Sequence, residues 1–328
     1  MRIWLLRLVP DIPYGRLITG FVILFGLFVW FVLAGLFVGL RNEVSPAAAV
    51  FFCVILAYIV PVFHFITERT LRAFDEVAPH LEADAETIEA WRRTITHKPW
   101  RWTLLNLALG CAAWIAHSAL LLNSPFGMLG ALLGSAGTFA IVAGPGLVWI
   151  VMMCAIGALV DNARLFRELA RHVHIDLLAP AHLTAFGRVA ASSTLALIGA
   201  QAAFPIMWLD PRVEAVASVP GILVTGAAMV FLFVRPIWPI HDAIGAAKSR
   251  EIERINSLLA IARQGADGSS APAMERLNPY LVYRREIAEV REWPFDTSIV
   301  TRLGFYLVIP PLTWVGAALI EMAVDSLL

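Results

Sequence analysis

Residues 236–263 read PIWPIHDAIGAAKSREIERINSLLAIAR, residues 264–273 read QGADGSSAPA, and residues 278–303 read NPYLVYRREIAEVREWPFDTSIVTRL. In the first piece Ile244, Ala247, Ile252, Ile255, Leu258, Leu259 and Ala262 recur on one side of a 3.6-residue wheel, with Lys248, Arg250, Glu253 and Arg254 toward the other. The glycine- and serine-rich middle reads as a turn. In the third piece Asn278 suits a helix cap and Pro279 the first helical position, so a second helix is expected from there to Trp293-Pro294, with Leu281, Ile287, Ala288 and Val290 for packing. Asp296 or Ser298 then caps a final apolar segment. This polar helical hairpin, leaving one apolar segment and entering the next, decides the fold: Ile244, Ile252, Ile255, Leu259, Ile287, Trp293 and Asp296 are its candidate assembly or gating residues.

Everything around it is apolar. The chain is 59% hydrophobic and 15% charged, with a mean hydropathy of +0.75, which excludes an ordinary soluble domain. A hydrocarbon core of ~30 Å needs roughly 20 apolar residues. Seven segments qualify, at 17–40, 46–66, 102–122, 136–160, 184–206, 217–238 and 299–320. The expected fold is therefore all-α and polytopic. A membrane domain over 1–238 has a helical segment at 67–101 and an extension of span four at 159–175, both in solvent. The hairpin follows over 239–298, and the last span over 299–328.

Lysine and arginine set the orientation. Taking alternate loops together, 23 basic residues fall on the side of the N-terminus and the hairpin, and only Arg41 and Arg212 on the other. The N-terminus is expected inside the cell and the C-terminus outside, with a bacterial inner membrane as the location. The opening MRIWLLRLV is expected to lie in the inner headgroup layer. Net charge is zero, giving no bias toward nucleic acid. Cys53, Cys111 and Cys154 sit in separate apolar segments, so neither a disulfide framework nor a CxxC site is available.

No nucleotide, zinc-protease or serine-hydrolase motif occurs, so neither a cofactor nor catalysis is expected. No Asp, Glu, Lys or Arg falls near the centre of a span, which argues against a proton-coupled carrier or a voltage sensor. Asn106, His117, Ser118, Ser193 and Gln201 are the residues that a polar pocket among spans three to five would use. Gly130 and Gly134, at i and i+4, read as a close helix contact, and the same glycines also suit a narrow path or re-entrant turn near Pro125. His172, His174, Asp176 and His182 form the densest group of metal-ligand types, at a spacing that fits no known site. In the last span Pro310 and Pro311 break the helix, with Thr313 beside them. Glu321 and Asp325 at its outer end would form a carboxylate ring in a symmetric assembly.

Seven spans with the N-terminus inside, central spans prolonged into the cytoplasm and a last span preceded by a cytosolic helix resemble, in order of elements, the insect odorant and gustatory receptor channels. The resemblance carries no sequence motif. It implies a homo-oligomer joined through the prolonged helices, with the last span lining a cation pore. Three functions follow from the residues and this likeness: a homo-oligomeric channel, a membrane sensor or scaffold docking a cytosolic partner through 240–295, and a solute facilitator with a pocket among spans three to five.

Overall fold

The structure, a computed structural model, describes residues 1–35, 46–122, 125–209, 217–264 and 271–294 together with Thr301 and Phe305. Its helices are α1 (Trp4–Arg7), α2 (Gly15–Leu33), α3 (Pro46–Val77), α4 (Ala85–Thr96), α5 (Trp100–Leu122), α6 (Pro125–Leu132), α7 (Ala136–Leu169), α8 (Thr184–Gln201), α9 (Pro205–Trp208), α10 (Val219–Gln264) and α11 (Ala271–Glu289). Among the described residues two isolated bridges, Arg2 with His97 and Leu81 with Val173, are the only β pairing. Six helices (α2, α3, α5, α7, α8 and α10) are long and apolar enough to cross a bilayer. The seventh expected span, 299–320, lies outside the described residues apart from Thr301 and Phe305.

Burial sorts the six into two groups. In the apolar stretches of α3, α7 and α8, 61% of residues are buried inside the protein, against 33% in α10, 17% in α5 and 11% in α2. α3, α7 and α8 form the centre. The outer faces carry Leu17, Phe21, Val22 and Phe25 of α2, Leu104 and Leu105 of α5, and Leu223 and Val230 of α10, all exposed. An apolar surface of this extent needs lipid, not water, as its solvent. The protein is an integral membrane protein.

Three helices overshoot the bilayer. α3 has 32 residues, α7 34 and α10 46. At ~1.5 Å per residue they run about 48, 51 and 69 Å, against a hydrocarbon core of ~30 Å. Their surplus emerges at one end, where α2, α5 and α8 begin. Arg16 of α2 meets Glu68 of α3 at 3.4 Å, Lys98 just before α5 meets Asp161 of α7 at 3.0 Å, and Arg188 of α8 pairs with Glu76 of α3. Exposed Tyr14, Trp100, Trp238 and Trp293 lie at the same level, as aromatic residues do at a membrane–water boundary.

Beyond that boundary the extensions share a core of their own. Phe74 of α3, Ile95 of α4, Phe166 of α7, Phe186 of α8 and Ile240 of α10 are completely buried together, and the Phe166 and Phe186 rings meet edge to face at 5.5 Å. α4 starts at Asp84, whose carboxyl the Thr87 hydroxyl, followed by N–H groups of the first turn, holds below the usual carboxylate range. α10 passes through Pro236 and Pro239 without ending, so no break separates the sixth span from the hairpin. Neighbouring helices hold the chain helical where each proline removes a bond.

Three expectations are corrected. The opening residues do not rest among headgroups: Ile3, Leu5, Leu6 and Val9 are buried in the core with α3 and α7. The Met1 amino group donates to the Lys98 carbonyl at 2.8 Å, the Lys98 N–H donates to the Met1 carbonyl, and the Ile3 N–H donates to Thr96. Fixed hydrogen bonds and full burial outweigh a loose interfacial seat. The second arm of the hairpin begins at Ala271, not Asn278, because packing along α10 holds Pro279 inside the helix at the loss of one backbone bond. Gly130 makes no close contact: nothing lies within 4 Å of where its Cβ would stand, and Gly134 faces Thr138 and the Gly130 and Ala131 carbonyls of its own neighbourhood. The tight approaches occur instead at isolated glycines, as at Gly110, whose Cβ would stand 2.8 Å from the Ile150 Cα.

Candidate functional site

The polar residues of the spans occupy three separate helix junctions and do not converge. At the first, Trp149 of α7 donates its indole N–H to His117 Nδ1 at 2.8 Å. His117 therefore carries its proton on Nε2, which donates to the Ala217 carbonyl at 2.9 Å. One imidazole thus ties α5, α7 and the residues before α10. Lower on the same pair of helices, Asn106 donates to Trp102 of its own helix at 2.9 Å and stands where a Cβ on Gly157 would be. At the third junction Gln201 of α8 donates to Thr225 of α10 at 3.1 Å, and Thr225 donates back to Gly221 at 2.7 Å. Ser118 and Ser193 are buried. His117, Asn106 and Gln201 thus find partners on protein groups in a medium that offers no water.

A cavity of about 380 Å³ opens elsewhere, at the end of the bilayer away from the charged extensions. Trp30 and Leu33 of α2, Leu132 of α6, and Ser135 and Phe139 of α7 line it, and none of the five polar candidates does.

Among the described residues two wholly buried side chains, Asn162 and Thr194, make no side-chain hydrogen bond. Asn162 of α7 is 2% exposed, and neither its amide nitrogen nor its oxygen is hydrogen-bonded. Leaving such a group unpaired costs about 1–3 kcal/mol. Asn162→Leu, alike in branched outline and without polar atoms, is therefore expected to stabilise the detergent-solubilised protein by ~1 kcal/mol or more in thermal unfolding; an unchanged or lowered midpoint would contradict the unpaired amide.

The histidine cluster is a knot between two turns. The Glu82 N–H donates to the His172 carbonyl, and the His174 N–H to the His80 carbonyl, joining the α3–α4 turn to the α7–α8 turn. His174 Nδ1 lies 3.2 Å from Glu82 Oε1, and His182 Nε2 lies 3.2 Å from the His174 carbonyl. The His182 ring stacks on His80 at 4.0 Å, while Asp176 accepts the Leu178 N–H. Among the described residues no three His, Cys, Asp or Glu side chains are placed to hold a metal ion.

In the hairpin α11 packs along α10, while the base of α10 joins the core shared with α3, α4, α7 and α8. Ile244, Ile255 and Ile287 are buried at 2%, 1% and 0% exposure, and Ile252 and Leu259 are half-buried. Tyr283 of α11 donates to Glu251 of α10 at 3.1 Å; burial and then this carboxylate push the Tyr283 hydroxyl upward. Arg284 donates to Asn256 at 2.8 Å. At the membrane end Lys248 donates to the Val290 carbonyl at 3.0 Å and meets Glu292 at 3.3 Å, and Trp293 stacks on His241 at 4.2 Å. The chain is thereby returned to the foot of α10 before residue 299. Asp296 and the pore candidates Pro310, Pro311, Thr313, Glu321 and Asp325 lie outside the described residues.

Three features escaped sequence reading: the Lys98–Asp161 pair, the His80 side of the knot, and Arg16 and Arg69 flanking Phe65. A lone acid at the end of span four and a lysine just before span three were the available signal for the first. No known protein family, curated protein or solved structure matches the chain.

Proposed function

We propose that the protein is a non-enzymatic homo-oligomeric channel of the bacterial inner membrane, with its N-terminus in the cytoplasm and its C-terminus outside. An ion or small solute passes between subunits beside a seventh span at 299–320, and the α10–α11 hairpin gates that path. The distribution of arginine and lysine supports the orientation. The observation that carries the gating role is the foot of the hairpin. α10 is unbroken from span to hairpin, and the His241–Trp293 stack with the Lys248 contacts clamps the returning chain to it. Movement of the hairpin is thereby passed to the segment that follows.

In proteoliposomes under a salt gradient, ion flux above that of empty vesicles is expected. Removing the stack with His241→Ala and Trp293→Ala changes open-state occupancy by about fivefold or more, the low end of ordinary coupling energies. Glu321→Ala reduces preference for cations. Silent vesicles contradict the channel reading.

One observation favours a second reading. Ile261, Leu281 and Val282 of the hairpin are exposed at 66%, 50% and 50%, as a surface docking a cytosolic protein would be. A silent protein that binds such a partner through 240–295 would be a scaffold or sensor. The carrier reading draws less support, since Asn106, His117 and Gln201 are spread over three junctions and paired there.

A further inference from the structure

At the inner end of the crevice between α2 and α3 two guanidinium groups share one ring. Arg16 of α2 lies over Phe65 of α3 at 5.3 Å and Arg69 lies over it at 4.8 Å. Phe65 is 39% exposed, so this stack opens outward. On the flank of α2 beside Arg16, Leu17 and, two turns deeper, Leu24 present apolar surface to lipid. The crevice sits where acyl chains end and headgroups begin.

Its charge is unbalanced. Glu68 is divided among Arg16 at 3.4 Å, Arg72 at 3.7 Å and His64 Nδ1 at 3.5 Å. Arg2 and Asp11 also lie within electrostatic range of His64. Four arginines thus face two carboxylates. Arg69 is in no ion pair among the described residues; its contact is the Phe65 ring. A guanidinium over an aromatic ring can still offer N–H groups to a planar or tetrahedral oxyanion.

We propose that this crevice binds the phosphate of an anionic phospholipid, with Arg16 and Arg69 on the headgroup and the acyl chains along the flank of α2 at Leu17 and Leu24. Basic pockets between spanning helices hold anionic headgroups in this way. The site joins the first span to the second and acts independently of conduction.

The test releases the protein from vesicles containing equal amounts of phosphatidylcholine and phosphatidylglycerol and identifies retained lipid by native mass spectrometry. Retained lipid is expected to be enriched in phosphatidylglycerol. Arg16→Ala and Arg69→Ala each lower that enrichment about fivefold, the factor for one basic residue at a membrane surface. Arg250→Ala, on the hairpin, leaves it unchanged. If Arg16→Ala does not accumulate, Arg69→Ala carries the test alone, because the Arg69 side chain is exposed and in no ion pair among the described residues. Retained lipid that mirrors the vesicle, an unchanged double variant, or displacement of the lipid by millimolar inorganic phosphate would overturn the proposal.

Discussion

Gly110→Leu is expected to abolish accumulation of folded protein, while Gly130→Leu leaves it unchanged. At Gly110 the backbones of α5 and α7 touch: a Cβ would stand 2.8 Å from the Ile150 Cα, 3.2 Å from its nitrogen and 3.2 Å from the Trp149 carbonyl. Backbone atoms have no rotamer to change, so the helices must part. Even Gly110→Ala should cost about 1–3 kcal/mol, the usual range for overpacking. Leucine there separates the helices far enough to break the Trp149–His117 bond and that from Trp114 to the Val142 carbonyl, 2.8 Å each. Around Gly130 nothing lies within 4 Å, and a larger side chain meets lipid or solvent. Fluorescence-detected gel filtration of the two leucine variants decides this; equal profiles would contradict the close approach.

Asp161→Ala carries the second large effect. Lys98 is 8% exposed on its side chain and Asp161 24%, with 3.0 Å between Nζ and Oδ2. Removing one partner of a buried pair leaves a charge that water cannot reach, at a cost of about 3–5 kcal/mol. The loss should spread, because the Lys98 backbone also holds the chain's first residue through the paired bonds with Met1. Replacing both charges, Lys98→Met with Asp161→Leu, should recover most of the stability. A single variant that melts like wild type would show that the pair is solvated.

Much of this architecture was legible in the sequence because it rests on composition and period. Apolar runs of span length, charged continuations of spans two and four, and the amphipathic stripe from Ile244 to Leu259 each write their own signal. What was not legible depends on which helix stands next to which. Gly130 and Gly134 form a recognisable small-residue pair, yet among the described residues Gly130 has no neighbour within 4 Å and Gly134 meets only its own stretch of chain, whereas Gly110 and Gly157 carry the contact between α5 and α7 without any pattern around them. His117 reads as a candidate pocket residue until Trp149, 32 residues away, is found donating to it. The opening MRIWLLRLV reads as interfacial because its mixture of arginine and aliphatic residues suits a headgroup layer; only the edges of Thr96 and Lys98 reveal the slot that buries it. Pro279 reads as a start because proline favours the first turn, and the length of α10 available for packing moves the start of α11 upstream.

That α3, α4, α7 and the hairpin meet in one polar body on the side of the membrane where the chain begins is tested by side-specific thiol labelling. Cys53, Cys111 and Cys154 are replaced by alanine, and single cysteines are placed at Glu86 of α4, Ser257 of α10 and Asn42 between the first two spans. An impermeant maleimide added to inside-out vesicles should label Glu86→Cys and Ser257→Cys and leave Asn42→Cys untouched, with the reverse in right-side-out vesicles. Labelling of Glu86→Cys and Ser257→Cys from opposite faces would contradict the account.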